Sequence, residues 1–299
     1  MNKKSVIRFV VGVCLLALPG LTATHGQVTK SAMTPVEVAR RIFDAKGFPA
    51  LGKYITGEYK EDKGHPNGKD SRKSATFRFK LLSQTSRDAV VNLTIPNKSG
   101  SGTDYYLFFV KQGVWKMHAF RSLAMAGFGL FEKNYLERLS SRQVDSVIAA
   151  SDPKTHGLFS SREEYSYKLG NARLLALSDD ELIGYFNEHR HQFDELKKII
   201  IAGKEELERN KTADIKLAIQ NQKPVEENWK KDYKTLFITY VPASDMDFKN
   251  AVELVIWGMV DNLVGYVYIP DKQNVPMMSP DHIILLRAMG DGWFLYKTT

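Results

Sequence analysis

YYLFFVKQGVWKM, residues 105–117, reads as two β-strands with the turn that joins them. A strand sends alternate side chains to opposite faces, and Tyr105 to Val110 is apolar on both, which places it in the middle of a sheet. Gln112 and Gly113 supply turn chemistry, and Val114 to Phe120 returns beside the first strand. Upstream, Phe77, Phe79 and Leu81 alternate with Arg78 and Lys80, a strand with one wet face. Val91, Leu93 and Ile95 alternate in the same way with Asn92 and Thr94. Pro96 and the run Asn-Lys-Ser-Gly-Ser-Gly over 97–102 then form a turn. Four strands joined by short connections predict an antiparallel meander.

Ahead of the strands, Thr34, Pro35 and Glu37 give an N-cap, a proline at the first helical position and an early acid. Val38, Ile42 and Ala45 follow on one face of a short helix, and Phe48 to Ile55 adds a helical turn or two. The polar stretch over 60–74 is an exposed loop. Helix followed by meander predicts a sheet curled around the helix, closing a small conical core.

Beyond the strands, residues 126–150 read as a helix carrying Phe128, Leu130, Phe131, Tyr135, Leu136 and Leu139. The turn-rich stretch over 151–157 sets the boundary between two modules, 27–150 and 151–299. Arg162 to Leu177 is helical. Ser178 and Glu181 then form a capping box, with Leu177 and Leu182 placed as a hydrophobic staple. Leu182, Tyr185, Phe186, Phe193, Leu196 and Ile200 share one face of a helix reaching about Asn210. Strands return at Leu236–Val241, Glu253–Val260, Leu263–Ile269, His282–Met289 and Trp293–Lys297. The expected class is α+β: two modules, each with helices packed on a curved antiparallel meander. Both modules end in a similar hairpin, through ancient duplication or through the way such hairpins are built.

On the helix-then-meander order and the 105–117 hairpin, the first module resembles the nuclear-transport-factor-like superfamily of cone-shaped α+β domains. The second resembles the C-terminal part of exported bacterial proteins whose last hairpin ends in Gly-x-Gly-Trp, here Gly290 to Trp293. The superfamily includes isomerases, cyclases, dehydratases and non-catalytic binding modules, so the fold alone does not select a function. Its enzymes place an Asp and a His or Tyr inside the cone. The resemblance therefore makes Asp104 and His118, on neighbouring strands, the candidate acid–base pair. Phe77, Phe79, Tyr105, Phe108, Trp115 and Phe120 either line an apolar pocket or fill the cone as core. Trp257, Tyr266 and Tyr268 pose the same question in the second module.

Residues 1–26 carry the pattern of a bacterial-type export signal. Lys3, Lys4 and Arg8 precede the apolar run Phe9 to Leu18, Pro19-Gly20 breaks that run, and cleavage is expected near Gly26-Gln27. The run is shorter than the roughly 20 residues a bilayer span requires, so no stable membrane span is expected after cleavage. Cys14, the single cysteine, would be the acylated residue of a lipoprotein. Against that, Val13 precedes it and Leu15 to Leu18 continue the apolar run. The processed chain then holds no cysteine, so its stability rests on packed cores. The formal charge is +8, and three of those charges leave with the signal. The modest remainder, without a long basic block, excludes a nucleic-acid arm.

Other motifs do not reach chemistry. Glu188 and His191 have Glu-x-x-His spacing, but di-iron bundles need that motif twice. Ser101 lacks the nucleophile elbow, and Gly127 and Gly129 lack the third glycine of a dinucleotide loop. Sequons at Asn92, Asn97 and Asn210 are at chance frequency, and Asn92 falls within a strand. No metal and no cofactor are expected. The reading is an exported, non-catalytic protein that binds a small apolar ligand or an envelope protein. The alternative is a small hydrolase, isomerase or dehydratase using Asp104 and His118.

Overall fold

A computed structural model describes residues 32–62, 68, 77–96, 102–124, 126–151, 157–209, 227, 229–242 and 246–299. The stretch over 1–26 read as an export signal, Asn97, Ser101, Asn210 and most of the 60–74 and 151–157 stretches lie outside them.

Helix α1 (Pro35–Ile42) begins where the sequence places it. Thr34 Oγ1 accepts the Glu37 N–H, and the Glu37 carboxylate accepts the Thr34 N–H at 2.7 Å. A short α2 (Gly57–Glu61) follows. Strands β1 (Arg78–Gln84), β2 (Asp88–Pro96), β3 (Gly102–Gln112) and β4 (Val114–Arg121) form one antiparallel sheet in sequence order. The interior strand β3 is indeed two-faced. Leu107 and Phe109 join Val38, Ala39, Ile42 and Phe43 of the α1 region in one core, while Tyr106 and Phe108 face the other way. A bulge opposite Phe108 and Phe109 puts the extra residue, His118, into β4.

The helix expected over 126–150 is two helices, α3 (Ala126–Glu137) and α4 (Ser141–Ala149). Ser140 makes the break, because Gln143 Oε1 accepts its N–H at 2.8 Å in a second capping box. After α5 (Arg162–Leu175), the long expected helix also divides, into α6 (Asp179–Glu188) and α7 (Arg190–Arg209). The break at His189 lets Phe186 and Phe193 stack on each other, with ring centroids 4.8 Å apart, while both meet Trp293.

Residues 236–241, expected as a strand, form only an isolated bridge between Tyr240 and Val255. Phe237 has a left-handed backbone (φ 56°), which breaks the alternation, and its ring fills the slot beside Gly170. Asn171 replaces ladder bonds there, donating to the carbonyls of Phe237 and Ile256 at 2.7 Å each. The second sheet comprises β5 (Val252–Met259), β6 (Asn262–Tyr268), β7 (Ile283–Gly290) and β8 (Trp293–Thr298). All its pairings are antiparallel, in the order β5–β6–β8–β7. The final hairpin thus inserts with β8 inward and β7 at the edge, one step away from a simple meander.

Met33–Thr299 is one compact unit. Its largest core combines α6 and α7, one face of the second sheet, and the face of the first sheet turned away from α1. Val90, Tyr106, Phe108 and Ala119 are the first sheet's contribution. No helix among the described residues is long and apolar enough to cross a membrane.

Candidate functional site

The site grows from the outward face of β3. Asp104 is buried there, and its Oδ1 accepts Thr94 Oγ1 at 2.6 Å and Asn92 Nδ2 at 3.1 Å from β2. Its Oδ2 accepts the backbone N–H of Asp179 at 2.7 Å. That amide belongs to the first turn of α6, where N–H groups lack helical partners and the dipole favours an anion. One carboxylate therefore docks the start of a helix onto the first sheet.

Asp179 repeats the pattern in the other direction. It is 1 % exposed, and its carboxylate accepts the Tyr106 hydroxyl at 2.9 Å and Lys297 Nζ at 2.7 Å. Burial raises its pKa above the usual aspartate value, Lys297 opposes that rise, and Asp104 adds to it. Burial and the two carboxylates push the Tyr106 phenol well above its ordinary range. Two carboxylates, one ammonium and one phenol thus tie β2, β3, α6 and β8 together. Arg287 of β7 adds a parallel pair with Asp180 at 2.5 Å.

Beside this network lies an open cleft of about 340 Å³. Leu123, Leu130, Leu175, Leu177, Leu182 and Val264 form its apolar walls, and Asp104, Lys297, Thr103 and Ser122 are its polar lining. A hollow that joins apolar walls to a few convergent polar groups has the form of a small-molecule site. A second, larger groove of about 580 Å³ runs between β1 and residues 275–278.

The structure separates Asp104 from His118. The His118 ring meets Phe108, with centroids 6.4 Å apart, and Phe108 is four residues along β3 from Asp104, about 13 Å of strand. His118 is half-buried near Glu58 and Arg121, and burial lowers its pKa. It does not line the cleft, whereas Asp104 does. The aromatic candidates pack on one another. Phe77, Phe79 and Phe120 surround Phe43 at 6.2–6.4 Å, and Trp115 is buried beneath Lys111. Tyr105 meets Phe120 at 5.1 Å and also lines the cleft. Tyr266 is fully buried against Phe186 and Phe193, Tyr268 packs on Trp293, and Trp257 packs on the same core. His189, from the Glu-x-x-His segment, caps α6 and stacks on Tyr185. No cluster of metal-ligating side chains occurs among the described residues.

Asp179, Lys297 and Tyr106 escaped the sequence reading. Ser178 to Glu181 shows as a helix cap, which hides the second duty of Asp179. Lys297 did leave a signal, since it continues the buried face that Trp293 and Leu295 begin on β8. Glu253 left one too, an acid inside the apolar run of β5. It is 1 % exposed, its Oε1 accepts the Met246 N–H at 3.2 Å, and burial pushes its pKa up to about 7.

No protein-family model, curated protein or solved structure matches the chain.

Proposed function

We propose that this chain is an exported, non-catalytic binding protein whose ligand occupies the cleft beside Asp104 and Lys297. Export rests on the pattern of residues 1–26. The order of α1 and the β1–β4 meander, with an apolar face closed by α1, supports reading the first module as nuclear-transport-factor-like. The binding reading rests on one observation: leucine walls descend to a polar lining in which an ammonium and a carboxylate are already engaged in the Asp179 network. The charged part of the lining offers one donor (Lys297) and one acceptor (Asp104), and the Thr103 and Ser122 hydroxyls can act as either, so it suits an uncharged head that can both accept and donate. A fully charged head would meet one partner of like sign. The ligand class is a small amphiphile with a hydroxyl- or amide-bearing end and an apolar body.

Calorimetric titration of the protein with a medium-chain monoacylglycerol tests this. Saturable binding is expected, weakened about tenfold or more by Leu130→Trp, which places a larger ring in the cleft wall. Leu130 is 43 % exposed, so the fold tolerates the change. No binding by the wild type, or equal binding by both proteins, overturns the assignment.

A further inference from the structure

The groove between β1 and residues 275–278 is walled by main chain as well as by side chains. Residues 80–83 of β1 line it in succession, as do residues 286–288 of β7. Successive residues of a strand point to opposite faces, so a hollow that touches all of them runs along the strand's edge. Both strands are the outer strands of their sheets. Among the described residues, no backbone hydrogen bond reaches the outer edge of either strand at these positions. A row of unpaired N–H and C=O groups is a template for another strand.

The charges in the lining set the length and polarity of the occupant. Lys80 and Arg287 mark one end, where both lean on a single carboxylate, Asp180, at 3.7 and 2.5 Å. Asp88 marks the other end, with no cation paired to it among the described residues. Lys80 stands opposite Asn92, and Asp88 lies four residues before Asn92 along β2, so the two ends are about 13 Å apart. Extended chain covers that distance in about five residues. An acid at the Lys80 end and a base at the Asp88 end complement these charges. Between the ends the lining is apolar, with Leu81 43 % and Met277 83 % exposed, and a methionine wall adapts to different side chains. Lys80 and the bulge between Leu81 and Ser83 are features that keep long flat strands off an edge, so they select a short, charged one.

We infer that this groove takes an extended peptide of about five residues, which adds to the free edge of β1 with an acidic residue at Lys80 and a basic one at Asp88. A basic N-terminal end and an acidic C-terminal end set the peptide antiparallel to β1. The inference goes beyond the binding reading above and holds whatever occupies the cleft beside Asp104 and Lys297.

Calorimetric titration with the peptide Lys-Val-Leu-Val-Glu, acetylated and amidated so that only its side chains carry charge, tests this. Saturable binding is expected, weakened about tenfold or more by Ala288→Trp, which fills the groove from an exposed position. Two changes to the peptide read the same contacts on the unaltered protein. Methylating its interior amide nitrogens removes the donors that strand pairing needs and keeps the side chains, and should weaken binding about tenfold or more. Reversing the order to Glu-Val-Leu-Val-Lys sets each charge against its like and should cost about tenfold as well. Leu130→Trp, in the wall of the other cleft, is expected to leave peptide binding unchanged. Three outcomes overturn the inference: no saturable binding by the wild type, binding indifferent to methylation or to reversal, or a loss caused by Leu130→Trp and not by Ala288→Trp. The last would place the peptide in the cleft.

Discussion

Glu253→Gln is expected to stabilise the protein above neutral pH and to leave it nearly unchanged in mild acid. Glu253 sits on β5 with its carboxylate accepting the Met246 N–H, close to Asp247, Tyr240 and Tyr296. Lys204 offers some compensating charge. Desolvation dominates and disfavours the ionised form, which raises the pKa from an ordinary 4.5 to about 7. A raised pKa means that the folded state holds the proton more tightly than the unfolded state. The associated stability is complete below 4.5 and is lost as pH rises to about 7. At about 1.4 kcal/mol per pH unit, that loss is about 3 kcal/mol. Glutamine cannot titrate, so the difference between variant and wild type in urea unfolding should grow from near zero at about pH 4.5 to about 3 kcal/mol at about pH 8. A difference that does not change with pH would mean that the carboxylate is hydrated in the folded protein.

The second large effect concerns Lys297. Lys297→Met leaves Asp179 buried with its ammonium removed, and breaking a buried ion pair on one side costs about 3–5 kcal/mol. Asp179→Asn in the same chain removes the stranded charge while keeping an oxygen for the Tyr106 hydroxyl. The double variant should therefore recover much of the loss, with a coupling of about 1 kcal/mol or more in a double-mutant cycle. Additive losses would show that the two groups act independently, and that β8 is tied to α6 by packing alone.

How much of this was legible in the sequence follows from the range of the interactions. The first sheet could be read strand by strand, because period-two alternation and the turn residues are local. The caps at Thr34 and Ser178 were legible for the same reason. The breaks at Ser140 and His189 were less so. Ser140 and Gln143 do form a local capping signal, but the apolar pattern runs through it, and at His189 the packing of Phe186 and Phe193 on Trp293 sets the bend. Residues 236–241 carry the composition of a strand, but Phe237 is drawn into the slot beside Gly170 and Asn171 takes over the carbonyls a neighbouring strand would have bound. Strand order in the second sheet is a long-range choice between β7 and β8 as partner of β6, which residue type does not encode.

The candidate site divides in the same way. Asp104 could be singled out as an acid on a core strand, and it does line the cleft. Its partners could not, since Asp179 is 75 positions away along the chain and Lys297 reaches Asp179 from 118 positions further on. His118 lies on the neighbouring strand, but strand adjacency does not fix height along the sheet, and at the bulge its ring meets Phe108.

A crystal structure of the protein grown with a medium-chain monoacylglycerol shows whether the cleft beside Asp104 and Lys297 is the binding site. The acyl chain is expected between Leu130, Leu175 and Leu182, with the head within hydrogen-bond distance of Lys297 Nζ and Asp104. Ligand bound in the groove between β1 and residues 275–278, or a cleft holding only water at saturating ligand, would contradict it.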